Sequence, residues 1–387
     1  MDTLFWLSAA WIVYAFVAYP ALVLAMAAFA RPKLASGWGY GRPKVTVTFT
    51  FVPPGEPGAT ALEGVRERVR DIAMNGFPAE LLQIVAVSDG PLTGRDELQR
   101  ELSADAKLEV LVLELTERAG KTAAQNLAVR SATGDVIVFT DADTRLAYRA
   151  LEAIVRPLGD PDVGCSCGRL IYAGRSLESQ YWNYETALKE AEAQLESLLG
   201  ANGALYALRR RDFAELPPWA LSDLVEPIYQ LLNGRRTCWA PGAVAYEHTR
   251  DGLGDVFGRK RRITLRALGS VALVAPIFNL KRRPLAAWMF ASHKLLRWFS
   301  WLPLMGLYFS SFVLATDPFH ARAAILQLLF YMYGAGVYVS APFSAVPAYA
   351  VEVAAAQLVA TLQWVFGRRE VVWEPTGVTA GGRLATR

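Results

Sequence analysis

The sequence contains few cysteines, few histidines and few charged side chains. Its 387 residues include three Cys and three His, and only 20% are Asp, Glu, Lys or Arg. Three cysteines are too few for a disulfide scaffold, and the scattered histidines lack a metal-binding spacing. No G-x-G-x-x-G motif follows a predicted strand, which removes a dinucleotide-binding fold. Because 53% of the residues are hydrophobic, intrinsic disorder is also excluded, and part of the chain is expected in lipid.

The charge balance excludes nucleic acid as the main partner. The net charge is only +4, and much of the basic excess lies beside apolar segments. This distribution fits an anionic membrane surface or a phosphorylated substrate.

The N-terminal segment is predicted to cross a membrane. Residues 3–30 carry no charged side chain, which exceeds the roughly 20 residues that a spanning helix needs. No basic residue precedes this run, so we predict an uncleaved anchor at 1–30 and not a signal peptide. The basic residues that follow place the N-terminus outside and the next segment in the cytoplasm, since positive charge marks the inner face; they are Arg31, Lys33, Arg42 and Lys44.

A second apolar zone begins near residue 298. Stretches at 298–316 and 323–342 are predicted spans, whereas 346–366 carries Glu352 and two glutamines. Four spans would place the basic end of the chain outside, so we favour three, with the last stretch interfacial or re-entrant. The whole zone is assigned to 298–370.

Two segments flank this zone on the cytoplasmic side. Residues 266–297 mix Lys and Arg with Trp, which predicts interfacial amphipathic helices whose basic groups face lipid headgroups. Residues 371–387 are predicted to form a cytoplasmic tail. The protein is therefore expected to be a multi-pass protein of a bacterial-type inner membrane.

The middle of the chain, 41–265, has the pattern of an α/β domain. Short β-like runs alternate with stretches whose apolar residues recur at helical spacing. The runs are at 45–52, 83–88, 108–115 and 136–140, and the helical stretches are at 61–74, 96–102, 122–132 and 178–198. This alternation predicts a mostly parallel sheet covered by helices.

Acidic side chains follow two of the predicted strands. Asp141 and Asp143 come directly after the strand at 136–140, and Asp89 follows the strand at 83–88. Ligands of open α/β sheets bind at this edge, and paired carboxylates suit Mg²⁺ or Mn²⁺ on a diphosphate. Taken singly, each acid is also explained by a helix cap or a turn.

Three more features accompany these acids. Lys121 precedes a predicted helix, where it can face a phosphate, but Leu115 stands where a P-loop needs glycine. Asp223 lies at a helix start after a Pro-Pro-Trp segment. Arg259 and Arg262 belong to a basic cluster that suits either headgroups or a pyrophosphate.

The order of these motifs resembles the family-2 glycosyltransferases, and more narrowly their membrane-embedded branch of cellulose, chitin and hyaluronan synthases. The similarity covers about 40–300 and extends to the segments 292–298 and 371–376. The resemblance implies a GT-A nucleotide-sugar-binding domain. Where that family has Tyr-Asn-Glu, this chain has Val52-Pro53-Pro54.

The resemblance also implies roles for individual residues. Asp223 would be the catalytic base, Asp143 with Asp141 would hold Mg²⁺ or Mn²⁺, and the remaining donor contacts would be Asp89, Lys121, Asp141, Arg259 and Arg262. The acceptor would meet the loop and aromatic residues Gly200, Asn202, Trp182 and Trp219.

The implied activity is inverting transfer of a sugar from a nucleotide-diphosphate sugar, such as a UDP-sugar, to a growing exported polysaccharide. A homo-oligomer or a separate secretion partner would help to export the product, because few spans are available to line a channel. Two alternatives stay open. One is transfer of a single sugar to a lipid carrier, and the other is a degenerate scaffold or nucleotide-binding subunit, which the lost Asn and Glu motivate.

Overall fold

The computed structural model describes residues 1–30, 37, 42–56, 59–173, 177–248, 255–335 and 345–372. The strands are β1 (Val45–Phe51), β2 (Leu82–Ser88), β3 (Glu109–Glu114), β4 (Val136–Thr140), β5 (Arg145–Leu146), β6 (Val163–Ala173), β7 (Leu205–Arg209) and β8 (Arg236–His248). The α-helices are α1 (Asp2–Val13), α2 (Tyr19–Phe29), α3 (Leu62–Ala73), α4 (Arg95–Ala106), α5 (Gly120–Ser131), α6 (Ala150–Val155), α7 (Leu177–Leu195), α8 (Ser222–Leu232), α9 (Asp255–Ser270), α10 (Pro284–Phe290), α11 (Leu296–Trp298), α12 (Trp301–Val313), α13 (Pro318–Ala335) and α14 (Ala345–Val365). Segments Tyr14–Ala18 and Ala291–Leu295 are π-helical. The predicted tail from 373 onward, Arg31 and Lys33 lie outside the described residues.

The described strands form one sheet in the order β3-β2-β1-β4-β7-β6-β8-β5. Strands β1 to β4 run parallel, while β7 and β5 run antiparallel to their neighbours. The four strands that the sequence predicts are confirmed, as are the four helical stretches. The α/β class with a mostly parallel sheet is therefore confirmed.

The inner parallel strands β1, β2 and β4 are almost entirely buried on both faces, whereas the edge strand β3 is partly exposed. On one face, α3 places Val65, Val69 and Ile72 against the sheet, all fully buried. Each contributes about 1.5–3 kcal/mol by leaving water. On the other face, Ala124 and Ala128 of α5 pack on β2. This close packing keeps the carboxyl ends of the strands level.

The second half of the sheet was not assigned from the sequence. Strand β8 pairs with β6 in parallel and with β5 in the opposite direction. These pairs join residues about 70 to 100 positions apart, which no local pattern encodes. They place the end of β8 beside the segment that follows β4.

Two described helical segments are long and apolar enough to cross a membrane. They are Asp2–Phe29 and Val346–Val365, and only 28% of each is buried in the protein. Helix α12 is apolar but shorter than a span, and α13 is not among the two. The stretch at 346–366, which the sequence ranks lowest, is therefore a stronger candidate than 298–316 or 323–342 in the part of the chain described.

The polar residues of α14 face the protein. Glu352 accepts a hydrogen bond from the backbone of Phe257, at the start of α9, with an N–O distance of 3.0 Å. Gln357 accepts one from Ser300 at 2.7 Å, and Gln363 accepts one from Arg261 at 2.8 Å. These contacts explain how an apolar helix carries three polar side chains.

A buried polar cluster joins the N-terminal helices to the α/β domain. His293, 2% exposed, lies with its ring nitrogens 2.7 Å from Glu192 Oε1 and 3.0 Å from Glu185 Oε2. The hydroxyl of Tyr19 donates to Glu192. Tyr19 belongs to α2, His293 to a π-helical turn, and both glutamates to α7. Three segments distant in sequence therefore meet in one buried cluster of polar side chains. We name this cluster, made of Tyr19, Glu185, Glu192 and His293, the α7 clasp.

Arg297 completes the α7 clasp and departs from the prediction. Its guanidinium forms an ion pair with Glu185 and donates to the hydroxyl of Tyr184 at 2.6 Å and to the carbonyl of Ala15 at 3.2 Å. Arg297 is only 5% exposed. Arg297 therefore neutralises a buried carboxylate. The sequence analysis predicted instead that the basic residues of this segment face lipid headgroups.

Removal of Arg297 should destabilise the protein strongly. The variant Arg297→Leu leaves Glu185 short of a partner in a buried setting, which typically costs about 3–5 kcal/mol. We expect a clear drop in the apparent melting temperature of the protein in detergent. The double variant Glu185→Leu/Arg297→Leu should recover part of the loss, because the unpaired charge is removed. The variant Arg211→Leu, at an exposed position, serves as control. An equal drop in apparent melting temperature for Arg297→Leu and Arg211→Leu would contradict this account.

Candidate active site

The carboxyl ends of β2 and β4 lie on either side of β1 and place two aspartates at one edge of the sheet. Asp89 directly follows β2, and Asp141 directly follows β4. The carboxyl edge of a parallel sheet is where α/β proteins hold ligands. The fold therefore brings these two aspartates to the same edge of the sheet, as the sequence predicts.

Asp89 organises the start of α5. Its Oδ1 accepts hydrogen bonds from the backbone of Ala119 at 2.8 Å and of Gly120 at 2.7 Å. Its other oxygen lies 3.7 Å from Nε of Arg118. Asp89 is 3% exposed, and the hydrogen bonds that it accepts hold the N-terminus of α5 in place, just before Lys121.

Gly120 has a φ of +80° and lies under the C-terminal segment. A side chain there would collide with the carbonyl of Val371. Nearby, Glu370 forms an ion pair with Arg261 at 2.8 Å, and the guanidinium of Arg369 lies 5.7 Å from the ring of Trp219. The residues after α14 therefore border the same edge of the sheet.

Lys121 connects the two sides of the site. Its ammonium group forms an ion pair with Asp141 and lies 3.3 Å from the carbonyl oxygen of Gly203. Burial alone would lower its pKa, but the carboxylates of Asp141 and Asp223 raise the pKa of Lys121 above its ordinary value. Lys121 is therefore a permanent cation among the acids of this edge.

Asp223 lies in the first turn of α8, opposite Lys121. Its Oδ2 is 2.9 Å from the position that a Cβ would occupy on Gly203, so only glycine permits this approach. Its Oδ1 is buried and has no hydrogen-bond partner among the described residues. A carboxylate oxygen that lacks a partner and lies next to acidic and basic side chains is suited to accept a proton.

Glu247 is a site residue that sequence reasoning missed. It ends β8 and accepts a hydrogen bond from the hydroxyl of Thr144 at 2.9 Å. Burial, together with the charges of Asp141 and Asp143, raises the pKa of Glu247 to about 7. No local motif marks this residue, because only the pairing of β8 with β5 brings it here.

The carboxylates of this edge fit a divalent ion that is shared with substrate. No group of three or more His, Cys, Asp or Glu in the described ranges is arranged as a complete metal site. Mg²⁺, however, is ordinarily bound by one or two carboxylates together with substrate phosphates. Asp141 and Asp143 supply such hard oxygen ligands, and a cation would relieve the repulsion that raises the pKa of Glu247.

The arginines of α9 face the same edge. Burial lowers the pKa of Arg262 to about 10 and Arg266 acts in the same direction, while Glu370 and Asp141 oppose them. Arg262 is therefore charged at neutral pH and within electrostatic reach of Asp141. Arg259 adds a further positive charge close to Arg262. Arg259 and Arg262 are thus coupled electrostatically to each other, and Arg262 is coupled to Asp141 as well.

Arg266 is a second residue that the sequence did not reveal. It donates to the hydroxyl of Thr122 at 2.8 Å and to the carbonyl of Ala220. It thereby joins α5 to the segment that leads into Asp223. Its spacing on α9, four residues after Arg262, is the signal that could have found it.

The structure brings only some of the predicted acceptor residues near Asp223. Gly200 has a φ of +130°, and the next residue, Ala201, donates to the carbonyl of Asp223 at 2.7 Å. Trp219 lies three residues before α8, and Trp182 on α7 donates its indole N–H to the carbonyl of Leu170 at 3.0 Å. The loop at Gly200 therefore contacts the start of α8, and Trp219 lies just before that helix in the sequence. Contact of these residues with an acceptor stays a prediction.

The burial of Glu226 predicts a pH-dependent stability. Glu226, one turn after Asp223, is fully buried with no hydrogen-bond partner for either carboxylate oxygen among the described residues, and burial raises its pKa to about 8. It is therefore neutral in the folded protein at pH 7 but ionised once unfolded, where its pKa is about 4.3. The free energy of unfolding should fall as pH rises from about 4.3 to about 8, and then level off.

The variant Glu226→Gln keeps the shape of the neutral acid and removes this dependence. We expect its advantage in apparent melting temperature over the parent protein to grow across that pH window, measured by thermal unfolding in detergent. The exposed Glu215→Gln is the matched control. A difference between Glu226→Gln and the parent that does not change with pH would contradict the assignment.

Comparison with known proteins finds similarity over the central part of the chain. Residues 60–216 match the family described as Glycosyl transferase family 2. An N-acetylglucosaminyltransferase of Rhizobium sp. (strain N33) is 26% identical over 214 residues, covering 50% of this chain and 47% of the relative. The probable glycosyltransferase YdaM of Bacillus subtilis (strain 168) is 26% identical over 238 residues, covering 57% and 56%. The chain thus spans about half the length of these curated relatives.

A solved structure is similar over nearly the whole chain. It is the mannosyltransferase PcManGT from Pyrobaculum calidifontis, in complex with GDP-Man and Mn²⁺. The two agree with a TM-score of 0.70 at 21% sequence identity, and the match covers 95% of this chain and 100% of the other. At this identity, the likeness establishes the fold.

Proposed function

We propose that this protein transfers a sugar from a nucleotide-diphosphate sugar, as the match of residues 60–216 to family 2 of the glycosyltransferases and the likeness of the fold to a mannosyltransferase support. The observation that carries the proposal is the convergence of Asp141, Lys121 and Asp223 at one edge of the sheet. These three residues come from separate parts of the chain. Together they provide a metal ligand, a cation and a base.

The donor diphosphate would lie between the strand ends and α9. Lys121 lies in the first turn of α5 and pairs with Asp141, and Arg262 is coupled electrostatically to the same carboxylate. A divalent ion held by Asp143 and Asp141 would, when bound, supply positive charge to the departing nucleoside diphosphate. Arg259 and Arg262 stabilise the same charge as it develops in the transition state. The similar mannosyltransferase was solved with GDP-Man and Mn²⁺, which supports this arrangement.

Asp223 would be the general base. Its unpartnered Oδ1 accepts the proton of an acceptor hydroxyl while that oxygen attacks the anomeric carbon. Attack from the side opposite the diphosphate inverts the anomeric configuration. Lys121, whose pKa the carboxylates of Asp141 and Asp223 raise, stays a cation beside the base while the base takes up the proton.

The donor sugar that we propose is N-acetylglucosamine, carried by UDP. Several relatives that match the same half of the chain are N-acetylglucosaminyltransferases, at 24–32% identity. The acceptor is a glycan or a lipid-linked glycan that approaches Asp223 along the loop at Gly200, flanked by Trp182 and Trp219. The product that we propose is a growing exported polysaccharide.

The location that we propose is a bacterial-type inner membrane, with the α/β domain in the cytoplasm. The apolar segments Asp2–Phe29 and Val346–Val365 are mostly exposed, as lipid-facing helices are. Lipid is therefore one partner of the protein, and an oligomer or secretion partner would complete an export path.

One observation favours single transfer to a lipid carrier as a second candidate. The apolar helix α2 packs on α7, and α7 contacts the Asn202 loop beside Asp223 through Lys189. A lipid-anchored acceptor could reach the base from this side. A ladder of long products supports polysaccharide synthesis, whereas one lipid-linked sugar supports the second candidate.

Replacement of the base should abolish transfer without loss of donor binding. We expect Asp223→Asn to lower the rate of nucleoside diphosphate release by at least about 10²-fold, because an amide cannot accept the proton. The measurement is turnover of detergent-purified protein with a panel of sugar nucleotides and Mn²⁺ or Mg²⁺. The exposed Asp96→Asn is the control. A measurable rate that is equal in parent and Asp223→Asn would exclude Asp223 as the base, and no release by either protein with any donor would favour a degenerate scaffold.

Loss of the metal ligand should raise the ion requirement. We expect Asp143→Ala to increase by at least about tenfold the Mn²⁺ concentration that gives half-maximal release, because one carboxylate ligand is lost. Chelation should stop turnover of the parent protein. Activity that persists in chelator, or an unchanged Mn²⁺ dependence in Asp143→Ala, would exclude an ion held by this motif.

A further inference from the structure

One face of α7 carries three buried charges, and they serve two different regions. Glu185 and Glu192 turn toward the α7 clasp, where they meet His293. Lys189 lies between them in the helix at four- and three-residue spacing, and is 6% exposed. Its ammonium group lies 2.6 Å from Oδ1 of Asn202. Of the three charged residues on this face, Lys189 is thus the one that contacts the loop of the candidate active site.

Asn202 is fully occupied inside the protein. Its Oδ1 accepts from Lys189, its Nδ2 donates to the carbonyl of Gly168 at 2.7 Å, and its backbone N–H donates to Sγ of Cys167 at 3.1 Å. Only 3% of the residue is exposed. Its side chain therefore spans from α7 to β6 and anchors the loop, and is not presented to a ligand.

Both neighbours of Asn202 touch the proposed machinery. Ala201 donates its backbone N–H to the carbonyl of Asp223 at 2.7 Å. Gly203 presents its carbonyl to Lys121 at 3.3 Å and its α-carbon to Oδ2 of Asp223. A shift of Asn202 therefore moves a backbone donor and a backbone acceptor of the site at once.

A lysine is a costly residue at this buried position. An uncharged side chain of similar length would fill the same volume with no desolvation cost. What it could not do is donate a charge-assisted hydrogen bond to Asn202, which is about twice as strong as a neutral one. The ring of Trp182, 4.9 Å from the ammonium, offers a cation–π contact that partly offsets burial.

We propose that Lys189 is a positioning residue that holds the Gly200–Gly203 loop, and through it Asp223 and Lys121, in register for transfer. The proposal rests on the proposed function of the site. It assigns Asn202 to the support of the base and not to contact with the acceptor. Misplacement of a reacting group by about 1 Å costs about 10²-fold in rate, so this contact acts on kcat.

The first test separates positioning from binding. In Lys189→Met we expect kcat for nucleoside diphosphate release to fall about 10- to 100-fold, while the donor KM changes less than about twofold. Lys189→Arg, which keeps a cationic donor, should recover much of the loss. The exposed neighbour Glu190→Gln is the matched control. An unchanged kcat in Lys189→Met, or a parallel rise in donor KM, overturns the proposal.

The second test does not need turnover. Amide hydrogen exchange of the segment 199–205 should be at least about tenfold faster in Lys189→Met than in the parent, and unchanged in Glu190→Gln. If the parent transfers no sugar from any donor, the proposed function fails, yet this exchange still decides the role of Lys189. Equal exchange in Lys189→Met and the parent overturns the proposal.

The third test asks whether the two residues act as one unit. The variants Asn202→Ala and Lys189→Met should each lower kcat, and the double variant should lower it little further. Effects that multiply in the double variant would show independent contributions and overturn the proposal.

Discussion

The ion pair between Lys121 and Asp141 is the contact on which the candidate site depends. It joins the start of α5 to the end of β4, and the same ammonium reaches the carbonyl of Gly203. Because Asp89 fixes the backbone in front of Lys121, the cation cannot move far from the sheet edge. Around this fixed positive charge, the acids of β4, α8 and β8 can lie close together without excessive repulsion.

The surrounding elements add charge of both signs in layers. Asp141, Asp143 and Glu247 form the acidic side, and Arg262 on α9 forms the basic side. A diphosphate with a divalent ion would complement both layers at once, since the ion pairs with the acids and the phosphates with the arginines. Burial, and after it the charges of Asp141 and Asp143, raise the pKa of Glu247, and such an ion would offset the second of these causes.

The apolar helices and the α/β domain are one physical unit. The α7 clasp ties α2 and the segment around His293 to α7 through buried hydrogen bonds and an ion pair. Helix α14 is joined to α9 by Glu352 and Gln363. Since α7 and α9 also carry Lys189 and Arg262, both walls of the candidate site are anchored on the helices that we propose to lie in lipid.

Much of the first half of the fold could be predicted, because there the sequence is locally consistent. Each of β1 to β4 is a short apolar run bounded by turns, and each intervening helix shows apolar residues at helical spacing. The acids after β2 and β4 follow from the same logic, since parallel strands must end at one edge. The later strands escaped prediction because their pairing partners lie far away in the chain, and the polar residues of α14 lowered its rank as a span.

The sequence by itself determined the α/β class, the long apolar segments and the residues Asp89, Lys121, Asp141 and Asp223, because each follows from local pattern or motif order. Only the tertiary structure decided the places of Glu247, Arg266 and Lys189, and showed that Arg297 and Asn202 are internal. Those side chains owe their roles to contacts across 13 to 144 positions in the chain. Such contacts exist only after strands and helices have packed, since distance in space between such residues is set by the fold and not by local sequence.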